Sequence, residues 1–466
     1  MPDKPKLLNV EDALALSRNE IKMMYKNHVN PALGSLLGLV NFDNKYVKAQ
    51  GIEVWDEKDN TYLDFMGGYG ALNLGHNHHA IIEALKKVNQ IPSLLPACIN
   101  PLTAALAAIL AQISPGDLQR VFFCNSGAEA IEGALKTARI STGRSKIIYC
   151  EGSFHGKTLG ALSVTGRAKY QKPFLPLLPE CYPVPFGDGT ALEEALQKKD
   201  AAAFIVEPIQ GEGGIIVPPD GYLQEVRQLC SKYGTLLIVD EVQTGFGRTG
   251  KMFACEWDEV TPDILCLAKS LGGGIIPIGA FVTTVEIWDR SYGSIEKALL
   301  HTSTFGSPGG NPRAAAAAIT AINVIYEENL IETAYEMGRY LLPKLKELQE
   351  KYPLIKEVRG KGLLIGIEFH QKDSFLNKLT GGRLNELTHE YTGAMVAGDL
   401  LNKYRIITVN TLNNPNVIRL EPPLNVSKQQ IDYVVDSLDK IFTANASVWN
   451  LAVSSTKNLV GSIFKS

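Results

Sequence analysis

Between about residues 100 and 285, short β-rich runs alternate with segments whose apolar residues recur at helical spacing. We interpret five runs as strands: VFFCN (121–125), KIIYC (146–150), AAFIVE (202–207), TLLIVD (235–240) and DILCLA (263–268). Most are apolar without alternation, as expected of strands that are covered on both faces. Helices are predicted over 128–141 and 221–234. The alternation predicts an α/β domain with a mostly parallel sheet between layers of helices.

The pattern changes after an alanine-rich helix predicted over 309–330. Beyond it, amphipathic helices and isolated strands predict a smaller α+β domain, with helices near 331–352, 384–404 and 427–443 and strands over 362–369 and 416–422. A probable hairpin near the N-terminus, 51–65, has Glu-Lys-Asp-Asn as its turn residues and is expected to pack on that smaller domain.

The predicted organisation therefore has four parts. They are an N-terminal segment that joins the small domain, a large domain, a C-terminal small domain and a tail, over 1–75, 76–330, 331–445 and 446–466. The tail is weakly amphipathic, so both a docked helix and a frayed end remain open.

Composition excludes several classes of function. The chain has 466 residues, and its formal net charge of -3 lacks the basic surplus of a nucleic-acid-binding protein. No run of about 18 apolar residues predicts a membrane span. Seven scattered cysteines without a C-x-x-C pair argue against a zinc site and a disulfide framework. His155 and the cluster His76, His78 and His79 could suggest a metal site, but supporting Cys or Asp spacing is missing, so helix-start and packing roles are favoured. We expect a cytoplasmic protein whose partners are small molecules and copies of itself.

Three features at predicted strand ends suggest one site. Asp240 ends a buried strand, where open α/β sheets bind ligands. The turn CNSGAEA (124–130) offers a serine, a glycine and a helix N-terminus to a phosphate. Lys269 ends the next strand, although an unpaired ammonium is costly to bury. Separately, the aspartate could be a helix cap or an ion pair, and Ser-Gly is often only an N-cap. Together they match pyridoxal phosphate, which needs a lysine for its aldehyde, a carboxylate for its ring nitrogen and a phosphate site.

Several blocks carry a family resemblance over roughly 45–445. The blocks are FFCNSGAEAIEGALKTAR, GSFHGKTLGALS, FIVEPIQGEGGIIVPPDGYL, LLIVDEVQTGFGRTGKMFACE, PDILCLAKSLGGGIIPIGA and VIRLEPPL. In order and spacing they resemble the class III, ornithine-type, pyridoxal phosphate-dependent aminotransferases. The resemblance implies fold-type I, whose large domain holds a mostly parallel seven-stranded sheet and whose small domain is built from both chain ends. Within the family, YKNHVNPAL (25–33), KPFLPLLP (172–179) and TLNNPNVIRLEPPL (411–424) are most similar to putrescine (diamine) aminotransferases.

The resemblance also implies roles around the cofactor. Lys269 would bond to the aldehyde and later shuttle a proton, and Asp240 would pair with the ring nitrogen. Phe154 would stack on the ring, Gln243 would hydrogen-bond its 3′-oxygen, and Glu207 would be a carboxylate near that region. The remaining expected cofactor contacts are Ser126, Gly127, Ala128, His155, Ser303 and Thr304.

Thr304 would reach the phosphate of a neighbouring subunit, which implies a homodimer or tetramer with shared active sites. Two departures from the family pattern concern the phosphate site. The loop TFGSPGGNP (304–312) is three residues longer than the usual T-F-G-G-N-P, and Ala128 stands where relatives often carry threonine.

The resemblance implies a substrate site as well. Arg419 matches the arginine that binds a substrate α-carboxylate, and a guanidinium suits a carboxylate in bidentate fashion. Glu212 matches the glutamate that pairs with it when an amine end enters. The implied reaction moves an amino group from putrescine or cadaverine to 2-oxoglutarate, as in polyamine catabolism, and gives an aminoaldehyde and glutamate.

Alternatives to that interpretation stay open at the level of sequence. They are an ornithine, acetylornithine or other ω-amino acid aminotransferase, a glutamate-1-semialdehyde-type aminomutase, and a non-catalytic protein that kept the fold. The Glu212–Arg419 pair could also be a permanent ion pair. Diamine chain length, the use of pyruvate as acceptor and the choice between dimer and tetramer are left undetermined.

Overall fold

The structure is a computed structural model that describes residues 7–39, 42–370 and 392–444. The strands are β1 Tyr46–Gln50, β2 Glu53–Asp56, β3 Thr61–Asp64, β4 Leu118–Cys124, β5 Lys146–Cys150, β6 Cys181–Val184, β7 Ala201–Val206, β8 Leu236–Asp240, β9 Ile264–Leu267, β10 Gly279–Thr284, β11 Ile355–Lys361, β12 Leu364–Phe369, β13 Ile406–Ile407 and β14 Val417–Leu420.

The α-helices of the same ranges are α1 Val10–Ala15, α2 Arg18–His28, α3 Pro31–Leu39, α4 Gly67–Gly70, α5 His79–Lys87, α6 Pro101–Ile113, α7 Gly127–Thr142, α8 Leu159–Ser163, α9 Ala168–Gln171, α10 Gly189–Leu196, α11 Tyr222–Tyr233, α12 Val285–Tyr292, α13 Pro312–Glu327, α14 Leu330–Lys351, α15 Thr392–Tyr404 and α16 Lys428–Ala444. Short 3₁₀ helices occupy Lys172–Phe174, Ala254–Asp258 and Lys269–Gly272. None of the helices in these ranges is long and apolar enough to cross a bilayer.

The central sheet has seven strands in the order β4-β10-β9-β8-β7-β5-β6. Only β10 is antiparallel to its neighbours. Every residue of β7 and β9 is buried, because side chains on both faces of the sheet are covered. The five predicted strands are therefore confirmed, and so is the mostly parallel seven-stranded sheet.

Two strands of this sheet were not predicted. The edge strand β6 contains Pro183, which has no amide hydrogen and weakens a strand pattern. Strand β10 begins at Gly279, directly after the stretch GGGIIPI (272–278), so only the three apolar residues 280–282 precede its two threonines. It pairs with β4 and β9 on its two sides, which stabilises it through long-range contacts.

Two smaller sheets hold the chain ends. The predicted hairpin is confirmed as β2 and β3, which pair antiparallel, and the sheet is extended by β1 and by β13 from the C-terminal part. Ile406 of β13 pairs in parallel with Leu63 of β3, so distant parts of the chain share one sheet. Strands β11, β12 and β14 form an antiparallel sheet that carries Arg419. The domain boundaries themselves stay a prediction.

The predicted helices after residue 309 are present where the structure describes the chain. The alanine-rich helix is shorter than predicted, because Asn311 caps it by accepting hydrogen bonds from the Arg313 and Ala314 amides and Pro312 occupies the first turn. Of the helix predicted near 384–404, residues 384–391 lie outside the described residues, as does the tail 446–466.

Arg248 joins three separate segments inside the protein. It is fully buried and donates hydrogen bonds to the carbonyl oxygens of Leu363 and Pro422 and to Asn73 Oδ1, at 3.0, 2.6 and 2.6 Å. Arg248 itself lies in the loop after β8. It thus joins this loop to the segment after the hairpin, at Asn73, and to the small sheet, at Leu363 and Pro422.

We expect Arg248→Met to lower the free energy of unfolding by about 3 kcal/mol, because three buried acceptors lose a charged donor. Urea unfolding of the variant and the parent chain measures the difference. Arg290→Met is the control, since the Arg290 side chain lies on the surface and pairs with Glu286 four residues before it; its effect should stay within about 0.5 kcal/mol. An equal loss in both variants would contradict the assignment.

Candidate active site

A cavity of about 520 Å³ lies at the carboxyl ends of the parallel strands. This is the edge at which open α/β sheets bind ligands, and the volume suits a cofactor-sized molecule. Nine of the residues predicted from sequence line it: Ser126, Gly127, Ala128, Phe154, His155, Glu207, Asp240, Gln243 and Lys269.

Lys269 enters the cavity from the end of β9. Its backbone has a positive φ of 46°, which is strained for a residue with a Cβ and is found mostly at functional sites. In the described part of the chain, its amine forms neither a hydrogen bond nor an ion pair. Burial lowers the pKa of Lys269, although Glu421, Glu212 and Asp240 act in the opposite direction. A neutral amine is a nucleophile, so the position suits covalent chemistry.

Asp240 faces the same cavity and is held by two contacts. Its Oδ2 lies 2.7 Å from His155 Nδ1, and its Oδ1 accepts a hydrogen bond from the Val242 amide at 3.0 Å. Both side chains are buried, and His155 Nε2 has no hydrogen-bond partner among the described residues. The imidazole of His155 therefore fixes the orientation of the Asp240 carboxylate. This arrangement suits an acid that must hold a cationic ring.

Glu207 connects the loops around this acid. One carboxylate oxygen accepts from the Phe154 amide at 2.9 Å, and the other accepts from the Gly211 amide at 3.0 Å. Burial raises the pKa of Glu207 to about 7, an effect that the nearby Asp240 adds to and His155 opposes. Glu207 thereby fixes the segment that presents Phe154 to the cavity.

The turn before α7 also lines the cavity. Ser126 caps the 16-residue helix, its Oγ accepting from the Glu129 amide at 3.2 Å. A Cβ at Gly127 would lie 2.9 Å from Val242 Cγ1, so a glycine is needed for this close approach. The first amides of a helix attract anions, so Ser126, Gly127 and Ala128 could hold a phosphate.

A second group of charges adjoins the cavity through Gln243. Arg419 Nη2 donates to Glu212 Oε2 at 2.6 Å, which brings together the two residues predicted to bind substrate. Burial and the Arg419 guanidinium act in opposite directions on Glu212, and the guanidinium prevails, so the pKa of Glu212 is lowered. The pKa of Arg419 is raised despite its burial, because Glu212 and Glu421 stabilise its charge.

Two residues of this group were missed by the sequence analysis. Glu421 is fully buried, with Oε2 3.5 Å from Arg419 Nη1 and Oε1 accepting from Gln243 Nε2 at 2.5 Å. The Tyr69 ring lies 5.0 Å from the Arg419 guanidinium carbon. A signal for Glu421 was present, since residues 419 and 421 are two apart at a strand end and share one face.

Two predicted contacts are not brought to the cavity. The Ser303 amide donates to the Ser307 carbonyl oxygen at 2.9 Å, and Thr304 is exposed. Their contact with a neighbouring subunit's phosphate stays a prediction. In the histidine cluster, His76 pairs with Asp64 and His78 with Glu328 at 3.0 and 3.2 Å, while His79 is exposed. The described residues contain no group of three or more potential metal ligands.

The fold is that of a fold-type I pyridoxal phosphate-dependent aminotransferase. The model of the class-III aminotransferase family matches residues 39–442, so the chain belongs to this family.

Individual relatives agree with this assignment. The chain is 40% identical over 454 residues to aminotransferase PigE of a Serratia strain, covering 90% of this chain and 53% of the relative; it thus spans about half the length of that curated protein. It is similar to the solved ornithine aminotransferase of Toxoplasma gondii, with 33% identity, a TM-score of 0.81 and coverage of 94% and 98% of the two chains. An (S)-enantioselective ω-transaminase from Thermomicrobium roseum also has a TM-score of 0.81, with 31% identity and 92% and 98% coverage.

The cofactor of this family is pyridoxal 5′-phosphate, and the residues present suit it. The cavity offers an unpaired lysine amine, a buried carboxylate oriented by His155, and a glycine-containing helix N-terminus. These three match an aldehyde, a ring nitrogen and a phosphate. A chain that had only kept the fold would not be expected to retain all three.

Proposed function

We propose that this chain transfers an amino group from a terminal primary amine of the diamine type, such as putrescine or cadaverine, to 2-oxoglutarate. The donor leaves as an aminoaldehyde, and the acceptor leaves as glutamate. The observation that supports this donor is the neutralisation of Arg419 by Glu212 and Glu421. Because Arg419 is already paired, the site presents carboxylates rather than a free guanidinium. A donor without a carboxylate therefore leaves no unpaired guanidinium when it binds.

Each of these cavity residues would have a distinct role in the reaction. Pyridoxal phosphate, when bound, supplies an aldehyde that takes the amino group and a ring that accepts electrons. Asp240 would keep the proton on the ring nitrogen, Phe154 would cover the ring face, and Gln243 would donate to the 3′-oxygen. Lys269 Nζ would hold the aldehyde carbon until the substrate amine displaces it, and the released amine would then move a proton at the substrate carbon, for which its lowered pKa is suited.

The acceptor requires a different state of the same pocket. A 2-oxoglutarate carboxylate needs the Arg419 guanidinium, so Glu212 must release it. We propose that Glu212 does so by a shift of its side chain, which lies between Gly211 and Gly213 and also accepts a hydrogen bond from the Leu412 amide at 2.8 Å. The swinging of this pair would let one site accept first an amine and then a dicarboxylic acid.

A second candidate donor is ornithine, because the similar Toxoplasma protein is named an ornithine aminotransferase. Such a donor has an α-carboxylate and would need contacts for it at the far end of the pocket. Acetylornithine, other ω-amino acids and an aminomutase reaction on glutamate 1-semialdehyde are further alternatives.

A donor panel discriminates these possibilities. We expect putrescine or cadaverine to exceed ornithine, acetylornithine, lysine and 4-aminobutyrate in kcat/KM by about ten-fold or more with 2-oxoglutarate. Glutamate formation is the measured quantity, and pyruvate is tested as a second acceptor. Faster turnover of ornithine would contradict the proposal, and turnover of glutamate 1-semialdehyde without any acceptor would indicate the aminomutase.

We also propose a homodimer or tetramer in which Ser303 and Thr304 serve the neighbouring site. Thr304 is exposed on its own subunit and lies outside the lining of that subunit's cavity. We therefore propose that its phosphate contact is made to another copy of the chain.

A further inference from the structure

Glu421 places a second buried carboxylate beside Arg419. It follows β14 directly, and its Oε2 lies 3.5 Å from Arg419 Nη1, without a hydrogen-bond partner in the described residues. Its other oxygen accepts the 2.5 Å hydrogen bond from Gln243. The guanidinium therefore faces one carboxylate at Nη2, from Glu212, and another at Nη1, from Glu421.

The two carboxylates differ in their freedom to move. The Glu421 amide donates to the Phe65 carbonyl oxygen at 2.8 Å, and a Cβ at Gly67 would lie only 2.0 Å from the Glu421 carbonyl oxygen. The backbone of Glu421 is thus enclosed, and its side chain is fully buried and tied to Gln243. Glu212, by contrast, has a side chain that is 11% exposed and lies between Gly211 and Gly213, where its Oε2 also accepts a hydrogen bond from the Leu412 amide at 2.8 Å.

This difference affects substrate binding in the state in which Glu212 no longer contacts Arg419. Arg419 Nη2 is then free for a substrate carboxylate, but Nη1 keeps Glu421 as its neighbour. An incoming carboxylate meets a guanidinium whose charge is already partly balanced, and it is repelled by the Glu421 carboxylate at short range.

We propose that Glu421 is a specificity-determining residue, a fixed counter-ion that weakens the binding of substrate carboxylates at Arg419. It would disfavour donors that carry an α-carboxylate and limit the affinity for the acceptor, which must be bound and released at the same guanidinium. This inference rests on the proposed function for its biological meaning, but the binding effect itself does not depend on which amine is the donor.

The test uses glutarate, a dicarboxylate that lacks the keto group and cannot react. The holoenzyme and its Glu421→Gln variant are titrated with glutarate by calorimetry. Glutamine keeps the oxygen that accepts from Gln243 and removes the charge. We expect the Kd of glutarate to fall by about ten-fold or more. In parallel, the ratio of kcat/KM for ornithine to that for putrescine should rise.

Glu368→Gln is the matched control. Glu368 lies on β12 in the same small sheet as Arg419, but it pairs with Arg359 and Lys356. Removal of the Glu368 charge should leave the Kd of glutarate unchanged. Glu421→Asp, which keeps the charge, should remain within about three-fold of the parent chain. If Glu421→Gln is not recovered folded, Glu421→Met removes the same charge and is titrated in its place.

The outcomes separate this inference from the proposed function. Unchanged or weaker glutarate binding in folded Glu421→Gln overturns the role of Glu421, and so does equal tightening by Glu421→Asp. Tighter glutarate binding supports that role even if the parent chain does not turn over diamines, in which case only the proposed donor fails.

Discussion

Replacement of Lys269 by alanine is expected to reduce kcat for amino transfer by at least about 10³-fold, because the variant loses both the covalent attachment of the cofactor and the base that moves the substrate proton. The structure supports both roles, since the Lys269 amine lies in the cavity without a partner among the described residues and its pKa is lowered by burial. Glutamate formation from 2-oxoglutarate and putrescine is the activity measured.

The attachment is measured separately from turnover. Borohydride reduction of the parent holoenzyme, followed by peptide mapping, should place the cofactor's mass on the peptide that contains Lys269. In the variant, no peptide should carry it. Lys232→Ala is the control, because Lys232 lies on α11 and pairs with Glu193 at the surface. Full turnover by Lys269→Ala, or label at another lysine in the parent chain, would refute the assignment.

The central sheet could be predicted from sequence because its strands are covered on both faces. Runs such as AAFIVE and TLLIVD contain almost no polar residue, as expected of strands that are buried on both faces. Strands β6 and β10 depend instead on pairing with neighbours. A proline in one and terminal threonines in the other make their local patterns weak. Local sequence therefore identified five strands of the sheet and missed one edge strand, β6, and the internal antiparallel strand, β10.

The same distinction applies to the site. Asp240 and Lys269 end adjacent parallel strands, so their approach follows from strand order, and the structure pairs Asp240 with Cys266 in register. The contacts of Glu421 with Gln243, and of Tyr69 with Arg419, join segments far apart in the chain. No local pattern specifies such contacts. The close approach of Gly67 to Glu421 is part of the same long-range packing.

Asp240 and Glu241 provide the second large expected effect, because they are adjacent buried carboxylates that point to different surroundings. Asp240 lines the cavity beside His155. Glu241 accepts hydrogen bonds from the Thr244 hydroxyl and from the Cys255 amide, and burial raises its pKa to about 7. Only Asp240 should be needed to keep the ring nitrogen of the cofactor protonated.

We therefore expect Asp240→Asn to lower kcat/KM by about 10² to 10³-fold, since a neutral amide cannot stabilise a cationic ring in a site with little water. The Val242 amide keeps an acceptor in this variant, so the melting temperature should change little. Glu241→Gln should give the opposite result, with activity within about three-fold of the parent chain and a lower melting temperature. Equal losses of activity in the two variants would mean that the carboxyl end of β8 needs negative charge in general. A selective loss in Asp240→Asn would locate the requirement at the one carboxylate that His155 orients toward the cavity.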